Sequence, residues 1–128
     1  MQKTLLSLVL LAPLFHSCAA AALGVGAGVL ISQEMMDNNI YVGQLNSDVN
    51  KVWSSAKTTL SHSSLKPIDV DNEVRSATAE IDGAKVTVTV ETYDLNRSML
   101  KVTAKKYGVN NGEIAQMTFN KIVADLEN

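Results

Sequence analysis

Cysteine occurs once in the 128 residues, at position 18, so no disulfide can form within the chain. Histidine occurs twice, at 16 and 62, and with a single cysteine no Cys/His cluster is available to bind a transition metal. Tryptophan occurs once, at 53. Clustered basic charge is also missing. The only basic doublet is Lys105-Lys106, and 11 Lys and Arg stand against 13 Asp and Glu, a net charge of −2. That mildly acidic balance argues against a nucleic-acid surface, which would need clustered Lys and Arg on one face. Formal charge is absent altogether between Thr4 and Ile31, whereas the sequence from Gln33 onward reads as that of an ordinary soluble protein. About 90 residues then remain for one small domain with a simple core.

The uncharged stretch reads as an address. Met1-Gln2-Lys3 is a short positive n-region, and Leu5 to Phe15 is an apolar h-region of signal-peptide length. Phe15-His16-Ser17-Cys18-Ala19 then resembles the bacterial lipobox, with a small residue just before the cysteine. The resemblance implies cleavage after residue 17, a diacylglyceryl group on the Cys18 sulfur, and anchoring by several acyl chains at roughly 0.8 kcal/mol per buried methylene. Phe15 and His16 depart from the lipobox pattern, where leucine and a small residue are usual. Loss of the leader with Lys3 leaves the mature chain at −3. The expected organisation is a signal peptide over 1–17, a lipidated Gly/Ala-rich tether over 18–38 and one domain over 39–128. Ala19, where an aspartate would favour inner-membrane retention in Gram-negative sorting, directs the expectation to the periplasmic side of the outer membrane. The alternative is an uncleaved helix through the inner membrane, since Thr4 to Ile31 is long enough to span a bilayer and Gly24 and Gly28 form a small-xxx-small pair.

Periodicity organises the rest. Ile40 to Leu45 reads as a strand, and Asn46-Ser47-Asp48 supplies N-cap candidates. Val49, Val52, Trp53, Ala56 and Leu60 share one helical face, in a helix expected to end near His62-Ser63, ahead of Pro67. Leu65 to Asp69 is a candidate short strand and Val74 to Ile81 a stronger one. Asp82-Gly83 is a two-residue hairpin turn of type I′. Ala84, Val86, Val88 and Val90 alternate with polar residues, as do Leu100, Val102 and Ala104 after a turn at Asp94 to Arg97. Asn110-x-x-Glu113 has the form of a capping box, and Ala115, Phe119, Ile122 and Leu126 mark a C-terminal amphipathic helix. The predicted fold class is α+β: a small, mostly antiparallel sheet of four or five strands, order β-α-β-β-β-α, with two helices on one face and the Thr/Lys/Glu face in water.

Tyr41-Val42-Gly43-Gln44-Leu45, Val52-Trp53, the valine hairpin around Asp82-Gly83, and Tyr107-Gly108 ahead of a helix ending Ile122-Val123-Ala124-Asp125-Leu126 resemble a family of small bacterial lipoproteins, domain of unknown function 3568. The similarity runs over nearly the whole chain. It implies an envelope address and a fold, and it brings no reaction or catalytic residue with it.

The chemistry-bearing residues are few. His62 between Ser61 and Ser63 is expected at the surface of a helix C-terminus, where positive charge is favoured, rather than in a triad. Asp69, Asp71 and Glu73 alternate like calcium ligands but lack the glycine and distant glutamate of an EF-hand loop, so a solvated turn is expected. No metal, cofactor or catalytic residue is assigned. Trp53 either packs in the core or lines a helix–sheet cavity that Tyr41, Tyr93 and Tyr107 rim. Three functions are then weighed. The first is a tethered interaction module for an envelope protein, motivated by the Thr-rich valine strand as an open edge. The second is a binder of small apolar ligands or lipid, using Trp53, Tyr41 and Tyr93. The third, an enzyme, ranks last.

Overall fold

A computed structural model of the chain describes residues 29–36 and 40–127. Cys18 and the proposed leader lie outside the described residues. Nine elements follow in order: β1 (Leu30–Met36), β2 (Ile40–Leu45), α1 (Val49–Ser63), β3 (Asp69–Asp71), β4 (Ser76–Ile81), β5 (Ala84–Asp94), β6 (Arg97–Lys106), β7 (Val109–Asn110) and α2 (Gly112–Glu127). All strand pairs are antiparallel, in the order β1-β2-β6-β5-β4-β3, with β7 paired to β6 off that path. The α+β class and the helix pair agree with the sequence reading. The strand count does not: the described residues form seven strands, not four or five, and the order is β-β-α-β-β-β-β-β-α.

The four additional or shifted strands have local causes. β1 arises from residues expected in the tether; its Ser32-Gln33-Glu34 run has no apolar alternation, and only pairing with β2 makes it a strand. β3 starts at Asp69, where the Leu65 to Asp69 candidate ended, and Leu65 itself is fully exposed. β4 begins two residues later than Val74 because Arg75 takes a positive φ of 50°. β7 follows from a second two-residue turn, in which Tyr107 and Gly108 have φ of 54° and 77°. Those angles match Asp82 and Gly83, at 52° and 80°, and both pairs have the type I′ form that suits a twisted hairpin. Because β7 occupies Asn110, the α2 cap moves one residue on. The Asn111 side chain accepts from Ile114 N–H at 3.1 Å, and Asn110 pairs with Lys105 instead.

The core lies between the sheet and both helices. Period-2 burial brings Tyr41, Gly43 and Leu45 of β2, Leu100, Val102 and Ala104 of β6, Val86, Val88 and Val90 of β5, and Ala77, Ala79 and Ile81 of β4 to one face. A single row across the sheet is Tyr41, Val102, Val88 and Ala77. Helix α1 covers β4, β5 and β6, α2 covers β2, β5 and β6, and the helices pack on each other. Val52, Trp53, Ala56 and Leu60 point inward from α1, as their spacing predicts, and Phe119, Ile122 and Val123 from α2. Asp48 caps α1 by accepting from the N–H groups of Asn50 and Lys51 at 2.9 and 3.1 Å. Ser98 is fully buried and donates to the Ser47 carbonyl at 2.6 Å, tying β6 to the entry of α1.

One contact positions α2. The Phe119 ring lies directly on the backbone of Gly43, and a Cβ built there would stand 2.7 Å from Phe119 Cε2 and 3.0 Å from the Ser32 carbonyl oxygen. The ring then meets Tyr41, with centroids 5.6 Å apart and planes tilted by 52°. The opposite face of the sheet carries exposed Lys85, Lys101 and Lys105 around the half-buried Thr78, Thr87 and Thr103. The Thr78 and Thr87 hydroxyls sit 3.3 Å apart.

Candidate functional site

The residues named as a ligand pocket do not converge. Trp53 is on α1 and is 7% exposed. Its Nε1–H donates to Asn72 Oδ1 at 3.0 Å, which satisfies the one polar group of the indole. Lys57 Nζ stands 5.0 Å from the ring centroid and 3.4 Å from the same Asn72 oxygen. Together these contacts fasten α1 to the segment joining β3 and β4. Tyr41 is buried under α2 on β2. Tyr93 is half exposed at the far end of β5, beneath the Arg97 guanidinium at 4.9 Å. It is five residues along β5 from Val88, the β5 member of the Tyr41 row, about 16 Å at strand rise. Tyr107 is almost fully exposed in its turn. Shallow surface clefts have mixed linings, one of Thr59, His62, Ser63, Lys121, Ala124 and Asp125 between the helix ends, another that includes Lys66, Pro67, Asp69, Ala79, Glu80 and Lys85. Neither touches Trp53, Tyr41 or Tyr93.

Asp71 Oδ1 accepts from Glu73 N–H at 3.0 Å and from Val74 N–H at 3.4 Å, so this carboxylate closes its own turn. Among the described residues, no group of three His, Cys, Asp or Glu side chains is placed to hold a metal ion. His62 lies in the last turn of α1, and Thr59, one turn earlier, gives its hydroxyl to Asp125 of α2. Arg97 clamps Asp94 across the β5–β6 turn, with Nε 2.7 Å from Oδ2 and Nη2 on the same oxygen. That hydrogen-bonded guanidinium holds the Asp94 carboxyl below the usual carboxylate range.

The sheet edges differ from each other, and the sequence did not show where they lie. The valine strand, read as an open edge, is β5 and is interior, paired on both sides with β4 and β6. Among the described residues the main strand path ends at β3 and β1, with the two-residue β7 beside β6 off that path. β3 is three residues long and carries two aspartates, the usual means of blunting an edge. β1 is seven residues long and contains neither proline nor lysine. Its one charge is Glu34, and Ile31 and Met35 are about half exposed, at 47% and 49%. Gln33 and Met35 lie opposite Gly43 and Tyr41, on the helix side of the sheet, yet both are exposed. A register shift between Leu30 and Ser32 is the only irregularity in the pairing of β1 with β2. Leu30 and Ile31 close the long apolar run of the N-terminus and belong to this strand. No helix among the described residues is long and apolar enough to cross a membrane.

No protein-family model matches the chain, and no curated protein matches its sequence. The resemblance to the small bacterial lipoproteins therefore rests on the residues quoted for it.

Proposed function

We propose that this chain is an exported lipoprotein of the cell envelope, held by acyl chains on Cys18 at the periplasmic side of the outer membrane, and that its domain is a non-catalytic interaction module that recruits an envelope protein by strand addition at β1. One observation carries the docking mode: β1 is a long, nearly uncharged edge with a single register shift near its start, while the opposite edge is short and acidic. An extended partner segment satisfies the free N–H and C=O groups of such an edge, and exposed side chains such as Ile31 and Met35 give it selectivity. The anchor rests on the residues before Cys18, and it fits the geometry. Residues 19–29 reach at most about 38 Å from the lipid to the start of β1, so the edge stays close to the bilayer.

Two measurements test the parts separately. Intact-mass spectrometry of the membrane-purified protein is expected to show a chain beginning at diacylglyceryl-Cys18. The unprocessed mass, or unchanged processing and membrane fractionation of Cys18→Ser, refutes the anchor. For the edge, Ile31→Lys with Met35→Lys places charges on exposed positions and leaves the core untouched. Partners recovered by in-membrane cross-linking are expected to fall at least tenfold, and recovery at the original level refutes strand addition.

A further inference from the structure

β1 is self-complementary in the antiparallel sense, and from this we propose that the segment added to it is the β1 of a second copy of the chain, with the twofold axis at Gln33. The inference rests on the edge-docking reading above and names its partner. Antiparallel pairing about Gln33 sets Gln33 against itself and Ser32 against Glu34, and, at and beyond the register shift near the start of β1, Ile31 against Met35 and Leu30 against Met36. The half-exposed apolar residues meet each other. The only charge on the strand falls opposite a serine, and no charge faces its own copy, an arrangement that would be unfavourable for directly opposed residues. At the axis the two Gln33 amides have both a donor and an acceptor to exchange. β3, with aspartates at both ends, would set like charges against each other in the same kind of pairing.

The surroundings agree. α2 covers β2 and β6, whereas on β1 the helix-side residues Gln33 and Met35 remain exposed. In the pair, two such uncovered strips lie side by side between the two α2 helices and cover each other. The contact is isologous, so it closes at two copies and uses up the edge without propagating a fibre. A single edge pair is smaller than a standard interface. Confinement of both chains to one membrane supplies the concentration that the small contact needs. The paired β1 strands are each about 24 Å long, which places the two chain entries at opposite ends. Tethers of residues 19–29 can both reach one bilayer from there.

Site-directed cross-linking of the full-length protein in native membranes tests the register. Gln33→Cys brings two thiols to directly opposed positions, with Cα atoms about 4.5–5.5 Å apart and within disulfide reach. Most of this variant is expected as a disulfide-linked dimer under mild oxidation. Ile31→Cys, whose copies stand four residues apart along the strand, is expected to give at least tenfold less. Ile31→Cys and Met35→Cys chains expressed together are expected to restore the dimer. Equal cross-linking of Gln33→Cys and Ile31→Cys overturns the proposed axis. Capture by Gln33→Cys of a different polypeptide in place of its own copy overturns the self-pairing and leaves edge docking standing, and no cross-linked product from any variant overturns both. A dimer formed by the unsubstituted chain reports a free Cys18 thiol and refutes the lipid anchor instead.

Discussion

Gly43→Ala is the most informative single substitution in the domain. The backbone of Gly43 is ordinary extended strand, so the change tests close approach alone. The added methyl would meet a ring edge at 2.7 Å, closer than real Cβ atoms come, and a carbonyl oxygen at 3.0 Å, tighter than most Cβ contacts. The ring has no room to retreat, because Phe119 is fully buried and stacked at a tilt on Tyr41. Helix α2 must lift from β2, or the ring must leave its rotamer. Overpacking of this kind costs about 1–3 kcal/mol. Replacing glycine lowers the entropy of the unfolded chain and offsets about 0.4–1 kcal/mol of that. A net loss of about 1–2 kcal/mol is expected. In a domain of this size that corresponds to roughly 4–16 °C in Tm. Urea unfolding followed by Trp53 emission reads it directly, since this is the only tryptophan and it is buried in the native state. Phe119→Leu removes the colliding ring edge at its own cavity cost. The double variant is expected to be more stable than the sum of the two singles by about 1 kcal/mol or more. Wild-type stability of Gly43→Ala, or strict additivity with Phe119→Leu, would refute the account of how α2 seats on the sheet.

Asp48→Ala removes the acceptor of two helix-start N–H groups and is expected to cost about 0.5–2 kcal/mol, measured by denaturant midpoint. Asn72→Ala strands the buried indole N–H of Trp53 and is expected to cost about 1–3 kcal/mol while red-shifting native emission; an unchanged spectrum would contradict the bond. Gly83→Ala forces a Cβ residue to φ +80° with ordinary space around it, so a loss of about 1–2 kcal/mol from backbone strain is expected in thermal unfolding. Asp94 has a depressed folded-state pKa, so its contribution is present above the unfolded carboxyl range and disappears as pH falls through the lower folded value. NMR titration is expected to place its carboxyl midpoint below that of an unpaired aspartate, and Arg97→Gln is expected to raise it.

Much of the fold was legible because its cause is local. The alternation through β5 fixes one wet and one buried face whatever lies beside it. The spacing of Val52, Trp53, Ala56 and Leu60 does the same for α1, and Asp82-Gly83 is a turn because glycine tolerates its φ. Tyr107-Gly108 obeys the same turn rule but is harder to see, since the strand it starts is two residues long. The pocket reading placed Trp53, Tyr41 and Tyr93 together on the grounds of residue type. Side-chain identity does not tell which helix covers which strand: Trp53 sits on α1 over β4, β5 and β6, whereas Tyr41 lies on β2 against Phe119 of α2.

From the sequence alone follow the uncharged N-terminal run with a lone cysteine near its middle, the α+β class, the inward faces of both helices and of the alternating strands, and the scarcity of groups able to do chemistry. These are properties of residue type and short-range period. The tertiary structure decided that β6 lies between β2 and β5, so that the valine strand is interior and β1 is an edge. It also decided that Gly43 must lack a side chain. Strand order and close approach depend on partners distant in the chain, and neither leaves a periodic mark in the segment itself; Ser32-Gln33-Glu34 is a strand only because β2 stands beside it.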